Sequence, residues 1–241
     1  MILPTRLYFL LGLPLLAALF SCSARIDGIV REGGAADITV RASLEPRTIA
    51  LVRSMRDFMG EAPDAPVLDA PAMSRSIAAA PGVRSASLKN AGTAGIEGEI
   101  SLANVGDFLA SGGAQGRFIT YTQGQTAGSS SIVVNLDRSS APELISRLSP
   151  ELGDYLLALM APVVSGERST RQEYLDVLAL VYGRGLADEI AAGSIRATVE
   201  FPRNITSIQG GTIAAANRAQ FEIPLIDLLV LETPVRYEVS W

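Results

Sequence analysis

Few side chains in this 241-residue sequence could do covalent or metal chemistry. It has no histidine and one cysteine, Cys22. Histidine is the commonest general base and a preferred ligand of zinc, copper and nickel. Its absence excludes a Ser-His-Asp triad, a Cys-His pair and an ordinary zinc site. With no thiol after Cys22, iron–sulfur ligation is excluded, and so are disulfides within the residues that follow. Lys89 is the sole lysine, and the other 19 basic residues are arginines. A Ser–Lys dyad with Ser85 or Ser87 can be drawn, but Ser87-Leu88-Lys89-Asn90 reads as a solvated strand end beside a turn. Carboxylates are the remaining acid/base groups. Glu97 and Glu99 share one face of a strand and read as a solvated face opposite Ile96 and Ile100. Asp188-Glu189 reads as helix surface. The run Ser111-Gly112-Gly113-Ala114-Gln115-Gly116 lacks the Gly-Lys-Ser/Thr ending of a phosphate loop, and no calcium-loop pattern occurs. No catalytic residue, cofactor or metal site is expected.

Cys22 stands at the end of MILPTRLYFLLGLPLLAALFSC. Arg6 supplies a positive charge, an apolar run follows from Leu7 to Phe20, and small Ser21 precedes the cysteine. This is the build of a secretory signal peptide. The apolar run has 14 residues, short of the roughly 20 needed to span a bilayer as a helix. Leu19-Phe20-Ser21-Cys22 resembles the lipobox of bacterial lipoproteins. Leu19 and Ser21 fit the pattern; Phe20 departs from the strict form and is similar to the looser boxes of spirochaetal lipoproteins. The resemblance implies cleavage of residues 1–21, a thioether-linked diacylglycerol on Cys22 and an acylated amine. Several acyl chains hold a protein stably, at about 0.8 kcal/mol per buried methylene.

Composition limits the partners. Lys and Arg number 20 against 25 Asp and Glu, a net charge of -5. Nucleic-acid binding leans on concentrated positive charge and is not expected.

The elements that must position any site follow from periodicity and punctuation. Arg25–Val30 and Asp37–Leu44 flank Glu32-Gly33-Gly34 and read as a hairpin. Residues 46–59 have helical spacing, with Pro46 in the first turn and Gly60 as stop. A loop over 61–69 leads to a short helix over about 70–80. Strand-like runs follow at 83–89, 96–102, 117–122 and 131–137, with a short helix near 107–110. A helical block comes next. It opens on the capping-box form Ser140-Ala141-Pro142-Glu143, includes apolar 151–160, and offers Ser169 with Gln172 or Thr170 with Glu173 as a second box. Tyr174, Leu175, Leu178, Val181 and Tyr182 form a stripe, and a further helix spans about 184–192. Strand character returns at 194–201, 205–209, 219–223 and 235–241. Val235, Tyr237, Val239 and Trp241 share a face of the last strand.

These elements predict a single α+β domain over residues 22–241: an antiparallel sheet drawn from both ends of the chain, with a central helical block packed on it. The opening hairpin, the helix after it and the late Phe201-Pro202 turn are similar to the LppM-type domain of bacterial lipoproteins, which implies an envelope location. The expected function is a non-catalytic lipoprotein, anchored by lipid in the cell envelope at the periplasmic face or cell surface. Its partners would be the membrane, through the anchor, and an apolar ligand or an envelope protein. The apolar runs 156–160 and 224–234 could line one cavity or belong to the core. A structural or assembly subunit, engaging partners through an edge strand or through 224–234, is the rival expectation. An enzyme built on carboxylates or arginines is the third.

Overall fold

The computed structural model describes residues 23–59, 67–111, 118–126, 128–141 and 156–241. The expected signal segment, Cys22, the loop over 61–66, the run Gly112–Gly116 and the helix expected after Ser140 lie outside the described residues. The chain is a mixed α+β fold with two sheets. The larger has seven strands and the smaller has four.

Strands β1 (Ser23–Val30) and β2 (Ala36–Ser43) form the expected hairpin, pairing from Ser23↔Ser43 to Val30↔Ala36. The turn between them needs positive φ, which Gly33 and Gly34 supply at 81° and 84°. Strands β3 (Val83–Asn90) and β4 (Gly95–Leu102) extend this sheet on the β2 side. On the other side, β1 runs parallel to β7 (Ser194–Glu200), and β10 (Arg218–Pro224) and β9 (Gly211–Ala215) follow antiparallel. The sheet therefore joins both ends of the described chain, as periodicity suggests. Its one parallel pair departs from the all-antiparallel expectation. A strand returning after a long helical connection can pair parallel, which a two-residue hairpin cannot achieve.

The smaller sheet comprises β5 (Ile119–Gln123), β6 (Ser130–Leu136), β8 (Ser207–Gln209) and β11 (Val235–Ser240). Between β8 and β9 the chain passes from one sheet to the other at Gly210, with φ at 76°. A Cβ there would lie 2.6 Å from the Arg236 carbonyl oxygen, so only glycine fits the crossing.

Helix α1 (Pro46–Met59) begins with proline, whose missing N–H costs nothing at a helix start. Helices α2 (Ala70–Ala78) and α3 (Val105–Ser111) follow, and Ser74 of α2 bonds both backbone groups of Leu88 on β3. A one-turn helix α4 (Pro162–Ser165) precedes α5 (Arg171–Tyr182), α6 (Arg184–Ala192) and later α7 (Leu225–Val230). The Thr170–Glu173 capping box forms: Thr170 Oγ1 accepts from the Glu173 N–H at 3.2 Å, and Glu173 Oε2 accepts from the Thr170 N–H at 2.7 Å. On α5, Tyr174 and Leu178 are buried, whereas Val177, Leu180 and Val181 face outward. The expected stripe is thus narrower than its sequence.

One hydrophobic cluster links the inner faces of both sheets with the helices. Phe201 stacks on Trp241 at 4.4 Å between ring centroids, tying the end of the large sheet to the small one. The two apolar runs are largely core. Leu225, Ile226, Leu228, Leu229, Val230 and Leu231 are all buried. Leu156 and Leu159 are buried while Leu157 and Met160 face out. The 224–234 run is therefore an interior element and does not present the apolar partner surface that the assembly expectation assigned to it.

Candidate ligand-binding cleft

The seven-stranded sheet has one buried face and one polar face. Side chains alternate along each strand, so its register assigns the polar residues to lateral rows. The first row, at the start of β1, places Gly95, Ser43, Ser23 and Ser194 side by side. The second runs Lys89, Glu97, Arg41, Arg25, Arg196, Glu222 across six strands. The third holds Ser87, Glu99, Thr39, Asp27, Thr198 and Gln220. A cleft of about 730 Å³ opens over the first two rows. Its charged lining is three arginines, Arg25, Arg41 and Arg196, and two carboxylates, Glu97 and Glu222.

Three arginines on adjacent strands are an unfavourable neighbourhood. Strands lie about 4.8 Å apart, and like charges directly opposite one another destabilise a sheet. Each arginine has a carboxylate neighbour that relieves part of this. Asp27 takes Arg25 Nε at 2.9 Å and Nη2 at 3.3 Å from one row away. Glu222 accepts from Arg196 Nε at 3.0 Å. Glu97 is held by Lys89 at 3.0 Å and lies 3.9 Å from Arg41. Lys89 and Arg41 draw the Glu97 carboxyl below its ordinary range, the Lys89 hydrogen bond most of all. The Ser194 hydroxyl and then Arg196 do the same for Glu222. Ser23 Oγ and Ser43 Oγ are 3.3 Å apart at the mouth.

The carboxylates and lysine singled out by sequence are resolved by this geometry. Glu97 and Glu99 do share the polar face, but Glu97 serves two cations. The Lys89 amine is paired with Glu97 at 3.0 Å rather than with Ser85 or Ser87. Glu189 departs from the helix-surface expectation. Its Oε1 accepts from the Arg47 N–H at 2.9 Å, and its Oε2 accepts from the Thr48 N–H at 3.0 Å and from Thr48 Oγ1. It thus caps α1 from α6. No sequence signal marks this, because the partners are not neighbours in the chain. Among the described residues no group of three His, Cys, Asp or Glu is placed to hold a metal ion, and no helix is long and apolar enough to cross a membrane. Cys22 immediately precedes β1, whose first residue, Ser23, lines the cleft.

The fold and the site together define a two-sheet α+β domain with an open charged cleft at the start of its first strand. No family model matches the chain, and no curated protein matches it. Among solved structures it is similar to the folded domain of LppM from Mycobacterium tuberculosis, determined by NMR. That likeness has 10% identity, covers 90% of this chain and 87% of the other, and has a TM-score of 0.40.

Proposed function

We propose that the chain is a lipid-anchored, non-catalytic binding protein of the bacterial cell envelope, tethered through Cys22. The observation that carries this reading is the adjacency of two features. A segment with the build of a signal peptide and a lipobox-like tetrapeptide end at Cys22, and the cleft is lined by the next residue, Ser23. Acylation at Cys22 would set the cleft beside the bilayer. The cleft combines apolar lining residues such as Ile96 and Phe221 with five charged groups, so it suits a ligand carrying an anionic group better than the wholly apolar one suggested by the hydrophobic runs, whose side chains mostly fill the core. Changing Cys22 to Ser is expected to move the protein out of the membrane fraction or to leave it as unprocessed precursor. An unchanged membrane fraction with normal processing would contradict the anchor.

Assembly with an envelope protein is a second reading, favoured by β9. This edge strand, Gly-Thr-Ile-Ala-Ala, is uncharged, lacks proline and leaves Ile213 54% exposed. Natural edge strands usually carry charge or proline against unwanted pairing. An edge without them can accept an added strand. Site-specific crosslinking from Thr212 in cells should yield a reproducible protein adduct under this reading, and no adduct without it.

A further inference from the structure

The geometry points to a binding site for a phosphate group on the Arg41–Arg25–Arg196 row, with Ser23 and Ser43 at its lip. The inference deepens the binding reading, and rests on it, but does not require acylation of Cys22.

Register is the first argument. Arg25 faces Arg41 on one neighbouring strand and Arg196 on the other. No carboxylate of the row stands between them; Glu97 and Glu222 lie at the flanks. A sheet face selected only for solubility would alternate charge or use Thr, Ser and Gln, as the next row largely does. Asp27, Glu222 and Glu97 offset part of the repulsion among the three guanidinium groups, and a bound anion would remove what remains.

Free donors are the second argument. Each guanidinium has five N–H groups in a planar fork suited to phosphate oxygens. Arg25 commits Nε and Nη2 to Asp27, and Arg196 commits Nε to Glu222. Arg41 has only the 3.9 Å contact with Glu97, which Lys89 already engages at 3.0 Å. The rest point to solvent; the three side chains are 67%, 70% and 70% exposed. Ser23 and Ser43 add hydroxyls that can donate to the same anion.

Shape is the third argument. A cleft of about 730 Å³ lies within the range of small-ligand sites, and three arginines outnumber two carboxylates along it. A row of three cations on a chain of net charge -5 is too small for a nucleic-acid track. It fits one phosphate, whether free or in the headgroup of a neighbouring lipid.

The test uses the full mature chain in a neutral detergent and follows binding by calorimetry. Inorganic phosphate is one titrant and dihexanoyl phosphatidylglycerol the other, with dihexanoyl phosphatidylcholine as the zwitterionic comparison. Saturable binding of phosphate alone supports a soluble ligand. Tighter binding of the phosphatidylglycerol than of either other titrant supports a lipid headgroup. Either affinity should fall at least tenfold in Arg25→Gln and in Arg41→Gln. It should be unchanged in Arg218→Gln, which lies on the same face outside the cleft. Trp241 emission verifies folding of each variant, and the titrants should raise the melting temperature of the wild type but not of Arg25→Gln. No saturable binding of either anionic titrant by the folded wild type overturns the proposal. So does binding that survives the combined Arg25→Gln, Arg41→Gln and Arg196→Gln changes. These results leave the anchor untouched, because the Cys22→Ser fractionation reads it separately.

Discussion

Glu189 takes two backbone N–H groups and a hydroxyl from a helix start at Arg47 and Thr48, 142 and 141 residues away from it in sequence. Helix starts leave N–H groups without intrahelical partners, and a carboxylate satisfies them with favourable dipole alignment. Glu189→Ala should therefore cost about 1–2 kcal/mol of stability, readable by denaturant titration. A loss near zero would mean that water substitutes fully. Arg138 does comparable work for acceptors. It donates to the carbonyls of Leu231, Glu167 and Ser169 at 2.9, 3.2 and 3.0 Å, pinning the end of α7 to the approach of α5. Arg138→Ala should cost about 2–3 kcal/mol, because charge-assisted hydrogen bonds are among the stronger ones. Asp227 works in the opposite direction. Burial raises its pKa despite Arg171, whose Nε lies 2.7 Å away without hydrogen-bond geometry. A raised folded-state value means that the native protein binds the extra proton, so ionising Asp227 weakens the fold as pH rises. Asp227→Asn should gain stability relative to the wild type as pH climbs from below the ordinary aspartate range to neutrality. A flat difference across that range would contradict the burial effect.

At the scale of elements, punctuation in the sequence located helices well. Pro46 and the Gly183 and Gly193 stops bound α1, α5 and α6 where spacing predicts them. A capping box here was legible because its partners are three residues apart, but Ser169 with Gln172 has the same spacing, and only the structure selects Thr170 with Glu173. Two features were not legible. Strand β9 opens on the second of two glycines and carries no alternation, so it reads as loop, yet β10 recruits it by pairing. The β1–β7 pairing is parallel and joins residues about 170 apart, which no local pattern encodes. The arginine row shares this difficulty. Each arginine is an ordinary polar position on its own strand, and only the register brings the three together. The run 224–234 was ambiguous between core and partner surface because a short apolar run fits either. Leu229 is 1% exposed, so Leu229→Ala should cost about 2–5 kcal/mol. A small loss of stability with a lost envelope partner would restore the surface role.

Among the described residues the two sheets share one main core, with a small satellite cluster at Leu44, Val67 and Ala94. The inner faces of both sheets and the helices share a hydrophobic cluster, and Gly210 leads the chain from one sheet directly into the other. Cooperative unfolding should follow. Trp241, the sole tryptophan, is 4% exposed and packed on Phe201 between the sheets. Its fluorescence and the far-ultraviolet circular dichroism should report one coincident transition; separate midpoints would show that the sheets unfold independently. Placement is the remaining property at this scale. The first described strand starts at Ser23, the residue after Cys22, and that end of the strand lines the charged cleft. An anchor at Cys22 would thus determine what the cleft meets. Mass spectrometry of the N-terminal peptide from membranes of the producing bacterium tests this most directly. The predicted result is a peptide beginning at Cys22 and carrying a diacylglycerol thioether; a peptide retaining residues before Cys22, or one with a free thiol, would contradict it.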